Sequence, residues 1–189
     1  MEKQHGYQEQ LPGSGKIPAV PPFREAYGLD AAMTSGVDLL RGLATMMKME
    51  VLDIRGVTDG QDNDYAAQAM GALQALAKHD LVVVHVEAPD EAAHDGSVEQ
   101  KVKAIEKIDS EVIGRFRSWQ RDKLRMLILP DHPTPIKIRT HCDDPVPFSL
   151  WGPGFKASGA AAFTEAEALR TGVFVDDGYT VMSRFVRGA

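Results

Sequence analysis

The 189-residue chain is 43% apolar and carries 27 acidic against 21 basic side chains, a formal charge of -6. That length buries a single core, and the acidic balance excludes a protein that grips nucleic acid through a broad basic field. One cysteine, Cys142, excludes a disulfide framework, and no apolar run reaches the ~20 residues of a membrane span. The residues after Met1 lack the basic and then apolar pattern of a secretory signal, so a cytoplasmic protein with neither nucleic-acid nor membrane partners is expected.

Residues 1–22 mix Pro12, Pro18, Pro21 and Pro22 with Gly6, Gly13 and Gly15, and read as an irregular arm or linker ahead of a globular unit over 23–189. Gly13-Ser14-Gly15-Lys16 lacks the spacing of a phosphate loop and has Ile17 in the Ser/Thr place. Asp30 to Thr34 is a short strand, and Val37, Leu40, Leu43, Ala44 and Met47 then follow a helical stripe. Met49 to Ile54 reads as a strand, followed by a turn at Asp59 to Asn63. An alanine-rich helix from Asp64 to His79 comes next, with Met70, Leu73, Leu76 and Ala77 turned inward.

Leu81 to Gly96 holds the first chemistry. Its opening apolar run suits a buried strand, and the pattern breaks at Pro89 into a loop carrying Asp90, Glu91, His94 and Asp95. Ser97 and Gln100 form a capping box for a long helix whose stripe is Val98, Val102, Ile105, Ile108, Val112, Phe116 and Trp119. A second strand, Lys123 to Leu129, runs into Asp131 and His132, with His141 close behind. Ile136 to Arg139 and Val146 to Trp151 read as short strands. Thr164 and Glu167 cap a short helix ending at Gly172, and Tyr179 to Val186 closes the chain as a helix.

Strand-helix alternation of this kind specifies an α/β fold with a largely parallel sheet, in which ligands gather at the carboxyl ends of the strands. Carboxylate and neutral imidazole are ligands for Mn, Zn, Fe or Mg, so Asp90, His94, Asp131, His132 and His141 are candidate metal ligands. His5 lies in the arm, His79 sits at a helix carboxyl end where imidazolium suits the dipole, and His85 reads as a hydrogen-bonded core group or a support for the ligands. Cys142 has no second thiol and reads as a structural residue.

The runs HVEAPDEAAHDG, VKAIEKIDSEVIG, LPDHPTPIKIRTH and DPVPF resemble the C-terminal portion of the archaeal-type cofactor-independent phosphoglycerate mutases of the alkaline phosphatase superfamily. FREAYGL and SGVDLLRG extend the likeness upstream, from about Gly13 to the end of the chain. The resemblance implies a three-layer alkaline-phosphatase-like core, incomplete because the N-terminal half of the family is absent. It also implies two divalent ions, manganese first, with zinc, cobalt or magnesium as alternatives. By matching positions, Asp90, His94 and His141 would hold one ion, and Asp131 and His132 the other.

Family members interconvert 3-phosphoglycerate and 2-phosphoglycerate through a phosphoserine, so a phosphorylated small molecule is the implied substrate. Their nucleophilic serine and one Asp ligand come from a half with no matching segment here, which leaves the nucleophile unknown and activity by this chain alone open. Thr34 and Ser35 stand at a strand-to-helix turn that exposes a hydroxyl, although a serine cap for the helix beginning at Gly36 accounts for Ser35 equally well. Arg41 is a candidate phosphate contact. A standalone metal-dependent phosphohydrolase or phosphotransferase, and a nonenzymatic module that self-associates through an exposed sheet edge, are the alternatives.

Overall fold

The structure, a computed structural model, describes residues 18–119 and 123–188. His5, the Gly13 to Lys16 stretch and most of the expected arm lie outside the described residues. After helix α1 (Phe23–Tyr27), strand β1 (Ala31–Thr34) leads into α2 (Asp38–Met46) and the brief edge strand β2 (Glu50–Val51). Helix α3 (Tyr65–Ala75) then crosses to β3 (Leu81–Val84). The strands lie in the order β2-β1-β3, all parallel, with Ala32 opposite Glu50 and Val82. Because the chain moves to opposite sides of β1 on its way to β2 and β3, the carboxyl ends of β1 and β3 flank a topological switch point, where an α/β sheet opens a crevice.

Two apolar clusters sandwich this sheet. On one face Phe23, Ala31, Ala44, Met49 and Leu81 pack with Met182 and Phe185 of the closing helix α8 (Thr180–Arg187). On the other, Tyr65, Ala69 and Ala72 of α3 meet Val112, Phe116 and Met126. The inward side of α3 is therefore its alanine side, while Met70 is 46% exposed and Ala77 is also exposed, against the expected pattern. Small side chains let α3 sit close to the sheet, and only Leu73 and Leu76 of the expected set pack against the core.

The long helix is broken into α5 (Val98–Lys107), a π-helical segment (Ile108–Ile113) and α6 (Gly114–Ser118). A π segment holds an extra residue per turn and shifts the phase of the stripe. Val112 within it and Phe116 beyond it face the core, but Val98, Val102 and Ile105 before it are exposed, and Ala104 takes the buried place.

Strand β4 (Met126–Ile128) pairs antiparallel with β5 (Ser149–Trp151), and neither joins the β2-β1-β3 sheet. The two site-bearing strands are thus not paired with one another, although Val82, Val84 and Ile128 pack on one cluster. Ile136 to Arg139 is a turn instead of a strand: the Pro135 carbonyl accepts from the N–H groups of Ile138 and Arg139. Beyond β5, α7 (Glu165–Arg170) is capped by Thr164. Among the described residues no helix is long and apolar enough to cross a membrane.

Candidate metal centre

Past β3 the backbone turns at His85 to Glu87 and enters α4 (Ala88–His94), a helix where a loop was expected. Pro89 in the first turn favours helix entry, because its missing N–H would have had no partner there. One turn of helix puts Asp90 and His94 on the same side, with His94 Nε2 at 3.1 Å from Asp90 Oδ2. His141, from the loop after β4, completes the set: its Nε2 lies 3.1 Å from His94 Nε2 and 3.6 Å from Asp90 Oδ1.

These separations fit a divalent ion. Ligand atoms ~2.0–2.2 Å from a metal in a tetrahedral or octahedral shell stand roughly 3.0–3.5 Å apart. The tautomer fits as well. His94 Nδ1 faces the Arg139 carbonyl at 3.0 Å, and a carbonyl only accepts, so the ring proton is on Nδ1 and the Nε2 lone pair points at a carboxylate and a second imidazole. Three ligand atoms facing one another form a set that a divalent cation between them would satisfy.

Around this set stand residues that the sequence reading had not singled out. Thr134, buried, donates its hydroxyl to Asp90 Oδ1, and Lys101 Nζ holds the Thr134 carbonyl at 2.8 Å. Arg139, which supplies the carbonyl for His94, has a left-handed backbone (φ 54), and its guanidinium lies over Gly96. The signal available for Thr134 was its place between two prolines of a loop already holding Asp131 and His132.

His132 belongs to the same group of side chains. Its ring stacks on His141 with centroids 3.7 Å apart, and its Nδ1 is 4.0 Å from Asp90 Oδ1. Its Nε2 contacts Asp131 Oδ2 at 3.3 Å, with Asp131 largely open to solvent. The described residues that can bring three ligand atoms together are Asp90, His94 and His141 in one group and Glu87, Asp90 and Glu91 in another. Asp131 and His132 offer a pair of donors beside the first group.

Ser35 follows β1 and is 1% exposed. Its Oγ accepts from the Val37 N–H at 3.0 Å and lies 3.0 Å from His85 Nδ1. Thr34 is fully buried beneath Gln68. The 58–59 backbone lies against Gly36 so closely that a Cβ there would overlap Thr58 and Asp59. Arg41 donates to the Ser35 carbonyl at 3.3 Å, which places its guanidinium at the carboxyl end of β1. Burial lowers the pKa of His85, against the opposing pull of Asp131 and Asp90, while burial and the carboxylates of Asp90, Asp131 and Glu91 raise that of Glu87. His79 Nε2 pairs with Glu50 at 2.6 Å, and half-buried Cys142 has its thiol at 3.3 Å from Asp144.

A parallel sheet between helical layers, with an Asp-His-His set gathered beside its carboxyl end, defines an α/β metal-binding domain. The chain belongs to the Metalloenzyme superfamily, whose family model matches residues 6–185. It is 45% identical over 179 residues to a 2,3-bisphosphoglycerate-independent phosphoglycerate mutase of Methanothrix thermoacetophila, covering 93% of this chain and 46% of that protein. It is 42% identical over 173 residues to a probable mutase of the same kind from Geobacter sulfurreducens, covering 90% of this chain and 43% of that protein.

Among solved structures, a Pyrococcus horikoshii protein superposes with a TM-score of 0.80 at 25% identity, over 92% of this chain and 53% of that one. The cofactor-independent phosphoglycerate mutase of Thermoplasma acidophilum does so with a TM-score of 0.72 at 25% identity, over 92% and 40%. The chain therefore spans about half the length of the curated relatives it matches, 46% of the first.

Proposed function

We propose that this chain is the metal-binding C-terminal part of a cofactor-independent phosphoglycerate mutase, acting on a phosphorylated small molecule in the cytoplasm. Asp90, His94 and His141 hold one divalent ion, manganese first, with zinc, cobalt or magnesium as alternatives. Asp131 and His132 contribute two donors to a second. Bound there, divalent ions would polarise phosphoryl oxygens and offset charge that builds up during transfer. The chain's own residues do the rest: Thr134 orients Asp90 through its hydroxyl, the Arg139 carbonyl fixes the His94 tautomer, and Arg41 contacts a phosphate at the end of β1.

The convergence of Asp90, His94 and His141 from two separate strand ends is the observation that supports metal binding most directly. The burial of Ser35 and Thr34 supports a nucleophile supplied from outside this chain, so mutase turnover by the chain alone is expected to be absent. Calorimetric titration of chelator-treated protein with Mn2+ and Zn2+, paired with a mutase assay, tests both halves of the proposal. No binding would refute the centre, and turnover by the isolated chain would refute the missing nucleophile. The exposure of Asp131 also favours a second reading, a metal-dependent phosphohydrolase that uses water as its nucleophile. Release of phosphate from a generic phosphoester, lost in His132→Ala, would select it.

A further inference from the structure

His85 stands outside the Asp90-His94-His141 set, yet both of its ring nitrogens are engaged. Ser35 Oγ is 3.0 Å from Nδ1, and Glu87 Oε2 is 3.2 Å from Nε2. Because Ser35 Oγ already accepts from the Val37 N–H, its own proton is free for Nδ1. Because a carboxylate only accepts, the neutral ring keeps its proton on Nε2, the side that faces Glu87 at 3.2 Å, and accepts from the Ser35 hydroxyl at Nδ1. The groups are therefore ordered: Ser35 gives to His85, and the N–H side of His85 faces the Glu87 carboxylate as a polar contact.

These three groups tie together the elements that aim the ligands. Ser35 follows β1, His85 follows β3, and Glu87 caps α4, its carbonyl accepting from the Asp90 N–H at 2.8 Å. Two further bonds clamp the same bend: Gln68 Nε2 donates to the His85 carbonyl at 2.9 Å, and Gln61 Nε2 to the Ala88 carbonyl at 2.5 Å. An apolar side chain would fill the His85 position without the desolvation that a half-buried imidazole and carboxylate incur. What a polar relay adds is direction, because its bonds form at one geometry only.

Resting on the metal reading above, we infer that the Ser35-His85-Glu87 relay sets the angle at which α4 leaves β3 and thereby aims Asp90 and His94 at their ion. His85 is a positioning residue that touches no ion itself. His85→Leu removes both contacts, whereas His85→Gln can accept at Oε1 and present Nε2 to Glu87, reproducing the order of the groups.

The test titrates native and variant proteins with Mn2+ and Zn2+ by calorimetry and records the visible spectrum of bound Co2+. His85→Leu is expected to weaken binding about tenfold and to alter the Co2+ bands, with His85→Gln returning to within about threefold of native. Glu87→Met and Glu87→Gln lose the same charge, but only glutamine keeps the acceptor. Glu87→Met should therefore bind several-fold more weakly than Glu87→Gln, a comparison that stands even if His85→Leu does not fold. Native affinity and unchanged Co2+ bands in a folded His85→Leu, or equal affinities in the Glu87 pair, would overturn the relay while leaving the centre intact. Failure of the native chain to bind any of the three ions would overturn the centre and the relay together.

Discussion

His94 Nε2 and His141 Nε2 stand 3.1 Å apart although 47 residues separate them in sequence. With the His94 proton drawn to the Arg139 carbonyl, that close approach is stable only with a proton or a metal ion between the two rings. A divalent ion at about a hundredfold above its dissociation constant should stabilise the fold by about 2.7 kcal/mol. Thermal unfolding should move up by about 5–10 °C on addition of Mn2+ or Zn2+ and return with a chelator. His141→Ala and Asp90→Ala should each abolish the shift while leaving the metal-free transition within about 2 °C and 4 °C of native respectively, the larger allowance reflecting the Thr134 bond lost with Asp90.

The side chain of Gln68 is completely buried and joins Asn63 Nδ2 at 2.9 Å to the His85 carbonyl. Gln68→Leu fits the volume but leaves both partners unsatisfied, so a loss of about 1–3 kcal/mol is expected in chemical denaturation. A change below about 0.5 kcal/mol would show that water replaces the amide there.

Gly36→Ala tests packing at the strand end in a different way. The added methyl would strike backbone of residues 58 and 59, which cannot rotate away as a side chain could. Overpacking of this kind costs about 1–3 kcal/mol, read as a lower denaturant midpoint at unchanged slope.

The two groups with displaced pKa values pull stability in opposite directions with pH. Burial holds His85 below its ordinary value of about 6.5, so between the two values the unfolded chain binds more protons. Stability from this group is complete above about pH 6.5 and is lost as the pH falls below it. Burial and neighbouring carboxylates raise Glu87, so from the ordinary carboxylate range upward the folded chain binds more protons and stability falls as the pH rises. Glu87→Gln should therefore raise the melting temperature of the metal-free protein at pH 7.5 and leave it nearly unchanged at pH 4. An equal effect at both values would show that charge is not the cause.

β3 pairs only with β1 among the described strands, and β4 only with β5, so each has an edge without a strand partner. Together with the exposed Val98, Val102 and Ile105, those edges favour self-association. Light scattering across a concentration series should show a mass above that of one chain, and replacing Val102 and Ile105 with lysine should lower it. A single monodisperse chain at all concentrations would rule this out.

Much of this organisation was legible from residues alone. The apolar run at Leu81 to Val84 marked a buried strand, and Asp90, His94 and His141 are residue types that ligate cations and that the fold brings together. What escaped was geometry that spacing does not encode. Pro89 was read as a break, yet at the start of a helix it is compatible with the first turn, and the following Asp-Glu-Ala-Ala run continues the helix. The stripe from Val98 to Trp119 looked continuous because a π segment leaves no mark in hydrophobic periodicity. Thr134 and Glu87 were missed because their roles depend on partners more than 40 residues away in one case, and on the exit angle of a strand in the other.

Arg139 adopts a backbone conformation that a glycine would take with less strain, while its guanidinium covers Gly96 at the foot of α4. Glycine at that place would relax the peptide but strip the cover from the helix end and loosen the carbonyl that orients His94. The loop after β4 is consequently latched by a side chain laid across its neighbour, and the imidazole it presents is ready before any ion arrives.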